Sequence, residues 1–204
     1  ADAATELGAV NTVVHTAGVS PVQAPVEAIL RVDLLGTALV LDAFGEVIAP
    51  SGAGVVISSM AGAMANLDAD LEAKLATTPT DQLLDLDELS PDAVTDPGMA
   101  YVLAKRANQL RVRAAASQWG RRRARVNSIS PGVIATAMGA AELEGPSGEI
   151  MRAMVDGSGT GRIGTADDIA AAVDFLAGHG AAYVTGTDLL VDGGVVASMA
   201  APPG

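Results

Sequence analysis

The 204-residue chain contains no cysteine, two histidines and very few aromatic residues. Without cysteine it can form neither a disulfide bond nor a thiolate metal site. His15 and His179 are too few and too far apart in the sequence to suggest a metal site. With one Trp, two Tyr and two Phe, a hydrophobic core must be built from closely packed aliphatic side chains. Helices packed on a sheet rich in Val, Ile and Leu form a core of this kind.

Basic residues are also scarce, since 12 Lys and Arg stand against 24 Asp and Glu, which gives a formal charge of −12. Nucleic-acid binding requires clustered positive charge to neutralise phosphates, so no nucleic-acid partner is expected. No uninterrupted apolar run approaches the ~20 residues of a membrane-spanning helix, so no membrane partner is expected either.

Short apolar runs alternate with segments of helical periodicity along the chain. The predicted strands are Val10–His15, Val55–Ser58, Arg125–Ile129 and Asp188–Val191. The predicted helices run from about Pro25 to Ile48, from about Tyr101 to Gly120, and over Ala166–Ala177. Buried runs of this length linked by helices favour right-handed crossovers and a parallel sheet. The fold class is therefore α/β, a doubly wound parallel sheet with helices on both faces, in one domain over residues 1–204.

Two segments interrupt this alternation. Residues 65–97 are acidic but contain several leucines, which predicts an insertion of one or two short helices at the carboxyl edge of the sheet. The region at about 136–161, glycine-rich from Gly139 to Gly161, predicts a mobile substrate loop or, alternatively, a plain surface connection. A loop after a strand lies where α/β folds bind ligands. We expect these two segments to form most of the substrate pocket.

Tyr101 and Lys105 are the most informative residues for function. Residues four apart lie on one face of a helix, so the phenol and the ammonium can point into the same space. A positive charge beside a tyrosine favours the phenolate and lowers a pKa that is normally ~10. A serine at a strand end, Ser58 or Ser59, could hold the oxygen that gains or loses a proton.

Six motifs in order resemble the classical type of the short-chain dehydrogenase/reductase family. They are His-Thr-Ala-Gly at 15–18, Val-Asp-Leu-Leu-Gly at 32–36, Ser-Ser-Met-Ala-Gly at 58–62, Tyr101 with Lys105, Arg-Val-Asn-Ser-Ile-Ser-Pro-Gly-Val-Ile-Ala-Thr at 125–136, and Val-Asp-Gly-Gly at 191–194. The resemblance extends from about Val10 to Gly194 and implies a Rossmann-like fold. The wide gap between Ser59 and Tyr101 is similar to that of the hydroxysteroid dehydrogenase/carbonyl reductase branch.

The resemblance implies a role for each matching residue. Tyr101 would exchange a proton with the substrate oxygen, Lys105 would lower its pKa and bind the nicotinamide ribose, and Ser59 would bind the carbonyl or hydroxyl. The implied cofactor, NAD or NADP, would contact Tyr101, Lys105 and six other residues. Those six are Ala17, Gly18, Pro131, Gly132, Ile134 and Thr136.

The chain departs from the family pattern in three places. His15 and Thr16 stand where two asparagines are usual, which we interpret as a structural variant. Asp33 replaces an asparagine whose backbone holds a water in the proton relay. That backbone role could survive the change, or the carboxylate could pair with Lys105 and alter the pKa of the base, so Asp33 is included among the candidate catalytic residues.

The third departure is the absence of the glycine-rich turn that holds the cofactor's pyrophosphate, and of the residue that chooses between NAD and NADP. Without the strand that normally pairs with it, Val10–His15 would be an exposed edge, which natural proteins avoid. We therefore expect an N-terminal segment to be cleaved, disordered or omitted.

The predicted function is NAD(P)-dependent interconversion of a secondary alcohol and a carbonyl. Steroids, small ketones and acyl chains all stay open as substrates. The alternatives are a binding or scaffolding protein that kept the fold and lost the chemistry, and a fragment stabilised only by oligomerisation. An apolar, Ala-rich helix over Val102–Ala116 suggests a homo-oligomer, either a dimer or a tetramer. We expect a cytoplasmic protein.

Overall fold

The computed structural model describes residues 1–200 and forms a parallel sheet of four strands in the order β1, β2, β3, β4. The strands are β1 (Val10–His15), β2 (Ile48–Ile57), β3 (Arg125–Pro131) and β4 (Asp188–Val191). The α-helices are α1 (Asp2–Glu6), α2 (Val26–Ile29), α3 (Gly36–Val47), α4 (Met60–Ala63), α5 (Ala69–Thr77), α6 (Pro97–Arg121), α7 (Ala137–Glu144), α8 (Gly148–Asp156), α9 (Ala166–Ala177) and α10 (Val195–Ala200). Shorter turns of 3₁₀-helix cover Thr80–Asp85, Asp87–Leu89 and His179–Ala181.

The sheet is covered on both faces, which confirms the predicted doubly wound α/β fold. On one face, Trp119 of α6 is buried among aliphatic side chains, and its indole N–H donates to the carbonyl oxygen of Leu41 at 3.1 Å. On the other face, Leu176 of α9 packs with Val55 and Ile129 of the sheet. The strands are therefore buried by aliphatic layers, as the scarcity of aromatic residues requires.

Strands β1 and β4 have the predicted bounds, whereas β2 begins well before Val55. Its first part pairs with β1 through a change of register, because Val10 opposes Ile48 while Thr12 opposes Ala53. Ser51 adopts a positive φ of 65° within this bulge. The Pro-Ser-Gly composition of that stretch is typical of a turn, so the apolar pattern revealed only the end of the strand.

The helix predicted from about Pro25 to Ile48 is present but not uniform. A π-helical segment, Leu30–Leu35, lies between α2 and α3. Its wider turn contains Asp33, whose carbonyl oxygen accepts a 2.7 Å hydrogen bond from the Thr37 hydroxyl. Such segments occur often at functional sites, and no local residue pattern predicts them.

The acidic insertion, for which one or two short helices were expected, contains α5 and two 3₁₀ turns, and it lies against α6 rather than around the pocket. Leu75 and Leu83 are fully buried in the same apolar cluster as α6 residues. Arg111 of α6 donates to the carbonyl oxygens of Leu75 and Thr78 at 3.1 and 3.0 Å. The insertion therefore covers the first half of α6. The apolar surface of this helix was the reason for expecting a homo-oligomer, and much of that surface is already covered within one chain.

The segment over Gly139–Gly161 is not the irregular loop that its glycines indicated, because it contains α7 and α8. Thr136 begins α7 by accepting a hydrogen bond from the Gly139 N–H at 3.1 Å. In α8, Met151 and Met154 face the apolar cluster around the buried Val155. The glycines lie mainly at the helix ends, where they allow sharp changes of direction.

The contact between α4 and α6 requires a residue without a side chain at position 62. A Cβ on Gly62 would lie 2.7 Å from the carbonyl carbon of Lys105 and 2.8 Å from the backbone nitrogen of Arg106. We expect Gly62→Ala to lower the free energy of unfolding by about 1–3 kcal/mol, because the two backbones would have to separate.

Urea denaturation measures this change, and Gly120→Ala in α6 is the matched control because its Cβ would meet nothing within 4 Å. The control should be neutral or more stable by up to about 1 kcal/mol, since alanine favours helix. Equal stability of the two variants would contradict the proposed steric role of Gly62.

Candidate active site

A cavity of about 780 Å³ opens at the carboxyl ends of the strands. Its polar lining comes chiefly from Ser59, Tyr101, Lys105, Thr136 and Glu142, and its apolar lining includes five methionines. The carboxyl edge of a doubly wound sheet is where this fold class binds ligands. The cavity therefore lies where the sequence predicted a site.

Tyr101 and Lys105 reach this cavity from adjacent turns of α6. The helix begins at Asp96, whose carboxylate accepts a hydrogen bond from the Met99 N–H at 2.8 Å, and Pro97 occupies its first turn. The Lys105 ammonium nitrogen lies 5.3 Å from the centre of the Tyr101 ring. The two side chains thus share one space, as their i, i+4 spacing predicted.

The electrostatics of the pair differ from expectation. Burial raises the pKa of the Tyr101 phenol above its ordinary value, a hydrogen bond with Ser59 opposes that rise, and the charges of Glu142 and Asp33 add to it. Burial also lowers the pKa of Lys105, against the attraction of Asp33. In this structure the phenol is therefore held in its protonated form, which is the form that donates a proton to a carbonyl oxygen.

Asp33 forms a buried ion pair with Lys105, which is one of the two alternatives that the sequence left open. Its Oδ1 lies 3.7 Å from the Lys105 nitrogen, and the two side chains are 0% and 6% exposed. The same oxygen accepts a 3.0 Å hydrogen bond from the Val19 N–H. Burial raises the pKa of Asp33, with Lys105 and Val19 acting in the opposite direction. Its Oδ2 has no protein partner among the described residues.

Ser58 and Ser59 have different surroundings. The Ser58 hydroxyl is buried and donates to the carbonyl oxygen of Lys105 at 2.8 Å, so it braces α6. Ser59 precedes α4, where its hydroxyl accepts a 3.2 Å hydrogen bond from the Ala61 N–H, and it lines the cavity beside Tyr101. Ser59 is the better placed of the two to contact a substrate oxygen.

Of the six other candidate cofactor residues, five line the cavity. Ala17 does not, and it is exposed. A Cβ on Gly18 would lie 2.6 Å from Asp33 Oδ1 and 3.3 Å from the Lys105 nitrogen, so only glycine fits there. Backbone contacts hold one wall of the cavity in place. Gly132 packs against the backbone of Asp192, and Ile134 forms a parallel bridge with Gly164. The residues of this wall are Pro131, Gly132, Ile134 and Thr136.

These residues fit the nicotinamide and ribose half of a dinucleotide. Gly18 exposes its backbone beside the buried Lys105, and four residues of the 131–136 segment also line the cavity. Lys105 and the Tyr101 hydroxyl are among the polar groups that line the cavity. Nothing in the sequence matches the glycine-rich turn that would bind the phosphates.

Several residues of the site were not identified from the sequence. Glu142 of α7 projects into the cavity near Lys105, and burial raises its pKa. Beneath the site, the Ser130 hydroxyl accepts from the Gln109 amide at 2.8 Å and donates to Asp188 at 2.9 Å. These groups come from separate parts of the chain, so only the fold brings them together.

No helix within residues 1–200 is long and apolar enough to cross a lipid bilayer. Within the same residues, no group of three or more acidic or histidine side chains is arranged to hold a metal ion.

The fold and the position of the cavity are typical of a doubly wound α/β protein that binds a ligand at the carboxyl edge of its sheet, and comparisons with known proteins identify the family. A family model described as enoyl-(acyl carrier protein) reductase matches residues 74–196. A short-chain dehydrogenase/reductase of Alternaria brassicicola is 39% identical over 201 residues, covering 98% of this chain and 73% of that protein. The chain belongs to the short-chain dehydrogenase/reductase family and is an NAD(P)-dependent oxidoreductase acting on alcohol and carbonyl groups.

Two further relatives resemble the branch that the sequence indicated. A 3-alpha-hydroxysteroid dehydrogenase/carbonyl reductase of Comamonas testosteroni is 30% identical and covers 90% of this chain and 71% of its own. The crystal structure of a 3-alpha-hydroxysteroid dehydrogenase from Pseudomonas sp. B-0831, complexed with NADH, superposes with a TM-score of 0.82 at 26% identity, covering 98% of this chain and 78% of its own.

The raised pKa of Asp33 predicts a pH-dependent stability difference between the natural protein and Asp33→Asn. Below the unfolded-state pKa of ~3.9 the carboxyl is neutral in both states. As the pH rises, the unfolded state ionises first, so the protein with Asp33 should lose stability relative to the variant until the folded-state pKa is passed.

Urea unfolding of both proteins from pH 4 to pH 8 measures this difference. Any pH dependence that the two proteins share belongs to other groups. If the natural protein gained stability relative to Asp33→Asn as the pH rose, the effect of Lys105 on the pKa of Asp33 would be larger than the effect of burial.

Proposed function

We propose that Tyr101, assisted by Lys105 and Ser59, exchanges a proton with the oxygen of a secondary alcohol or carbonyl in this cavity. The observation that carries the proposal is the convergence of all three side chains on one cavity, with the phenol and ammonium on adjacent helical turns. When bound, NAD or NADP would accept or supply the hydride.

Each residue has a distinct part in the proposed proton transfer. The protonated Tyr101 hydroxyl donates its proton to the carbonyl oxygen during reduction and recovers one during oxidation. The Ser59 hydroxyl binds the same oxygen and so fixes its distance from Tyr101. Lys105 stabilises the phenolate that forms when the proton leaves, because its charge lies beside the ring.

The 16–18 turn and the 131–136 segment are the proposed walls of the nicotinamide and ribose subsite. Gly18 and Gly132 permit close approach of the backbone, while Ile134 and Thr136 shape the subsite. Ala17 enters the proposal only through its backbone, since it does not line the cavity. Asp33 positions Lys105 and is not proposed to contact the substrate.

The relatives differ in the substrates that their names give, including D-threitol for a dehydrogenase of Mycolicibacterium smegmatis and hydroxysteroids for that of Comamonas testosteroni. The D-threitol enzyme is 32% identical, and the match covers 94% of this chain and 65% of that enzyme. The methionine-rich lining here supports a predominantly apolar substrate. A cytoplasmic location and a homo-oligomer are part of the proposal by resemblance to the family. Helix α6 gives little support to the homo-oligomer, because the acidic insertion covers its first half.

Tyr101→Phe tests the proton donor. Loss of the hydroxyl should lower kcat for a secondary alcohol by about 10²–10⁴-fold, because general acid–base catalysis contributes this much. The measurement is steady-state oxidation of a panel of secondary alcohols with NAD⁺ and NADP⁺ by the full-length protein. Cofactor binding, followed by nicotinamide fluorescence, should persist in the variant, and unchanged turnover would overturn the proposed mechanism.

Adjacent serines provide a matched pair of variants. Ser59→Ala should lower kcat by about 10²-fold, because it removes a donor to the oxygen where charge develops. Ser58→Ala should act instead on stability, lowering the free energy of unfolding by about 1 kcal/mol through loss of its hydrogen bond to Lys105. If Ser58→Ala had the larger kinetic effect, the assignment of the two serines would be reversed.

The second candidate function is a binding or scaffolding role on the same fold. The observation favouring it is the buried Asp33–Lys105 pair, which reduces the charge that Lys105 presents to Tyr101. A fluorescence titration of full-length protein with NADH and NADPH distinguishes the two functions, because saturable binding with turnover supports the enzyme. Absence of both would favour the binding role.

A further inference from the structure

Glu142 has an unusual position for a carboxylate. It lies in α7, is half-buried and lines the cavity that contains Tyr101 and Lys105. Within residues 1–200 no Lys, Arg or His nitrogen comes within 4 Å of its carboxylate, and no side chain or backbone N–H donates a hydrogen bond to it. A carboxylate held partly out of water needs donors to offset its lost hydration.

One positive charge in the cavity, that of Lys105, acts on the Glu142 carboxylate from beyond ion-pair distance. Among the described residues that line it, Lys105 is the single cation, and Asp33 already pairs with it. Most of the remaining lining is apolar and includes Met138, Met151 and Met154. The substrate end of the cavity is therefore apolar with one negative charge.

We propose that Glu142 determines substrate specificity, favouring an apolar ketone or alcohol with a second hydrogen-bond donor, either a hydroxyl or an ammonium, and rejecting a carboxylate or phosphate. The donor satisfies the Glu142 carboxylate, whereas an anion placed in the same apolar space faces like-charge repulsion that water screens poorly. This inference rests on the proposed function, since it concerns the substrate of the same site.

The test uses three ketones with the same apolar frame that end in a hydroxyl, a methyl or a carboxylate, and kcat/KM should fall in that order in the natural protein. The ratio of kcat/KM for the hydroxyl ketone to that for the carboxylate ketone should be at least about tenfold in the natural protein. Glu142→Gln should bring the ratio to within about threefold of unity, because the amide keeps the shape and loses the charge. Glu144→Gln is the matched control, since Glu144 is exposed on the same helix outside the cavity, and it should keep the natural ratio.

A binding arm separates this inference from the proposed reaction. Calorimetry should give a Kd for the hydroxyl ketone at least about tenfold lower than that for the carboxylate ketone, with the difference lost in Glu142→Gln. The inference is overturned if Glu142→Gln leaves both ratios unchanged. It is also overturned if that variant alters the affinity for NADH and NADPH while the ketone ratios stay the same, because Glu142 would then contact the cofactor. Selective binding without turnover of any ketone would retain the inference about Glu142 and overturn the proposed reaction.

Discussion

The buried contact between Asp33 and Lys105 joins the parts of the chain on which the site depends. Lys105 comes from α6, Asp33 from the π-helical segment, and Val19, which donates to the same carboxylate, from the loop after β1. Gly18 has no side chain because Asp33 Oδ1 occupies the space that its Cβ would fill. Removing one partner of such a pair typically costs about 3–5 kcal/mol, because the other is left buried and uncompensated.

This contact also affects the electrostatics of Tyr101 and Lys105, the proposed catalytic pair. Burial of Lys105 destabilises its ionised form. The Asp33 carboxylate also offsets part of the positive charge of Lys105, which would otherwise stabilise a Tyr101 phenolate. Tyr101 is buried as well and lies near two carboxylates, so its proton is held more firmly than the sequence suggested. In the proposed reduction the phenol gives up this proton to the carbonyl oxygen, and Lys105 stabilises the phenolate that results.

The parts of the fold predicted correctly are those encoded by local patterns. Strands β1 and β4 and helix α9 have the expected bounds, and a capping box between Thr165 and Asp168 begins α9. The first part of β2 was missed because a bulge containing Pro50 and Gly52 resembles a turn. The pattern does not predict α7 and α8, because glycines at the ends of helices are also typical of loops.

The sequence by itself determined the doubly wound class and the family, and it proposed Tyr101, Lys105 and Ser59 as the catalytic residues, because each depends on short-range spacing or on the order of motifs. Tertiary structure alone decided that the acidic insertion covers α6 instead of the pocket, that Asp33 pairs with Lys105, and that Glu142 faces them. Those outcomes depend on contacts between residues far apart in the chain. Burial also fixes the direction of the pKa shifts within the site, those of Asp33, Tyr101, Lys105 and Glu142, and burial is a property of the packed chain rather than of any local segment.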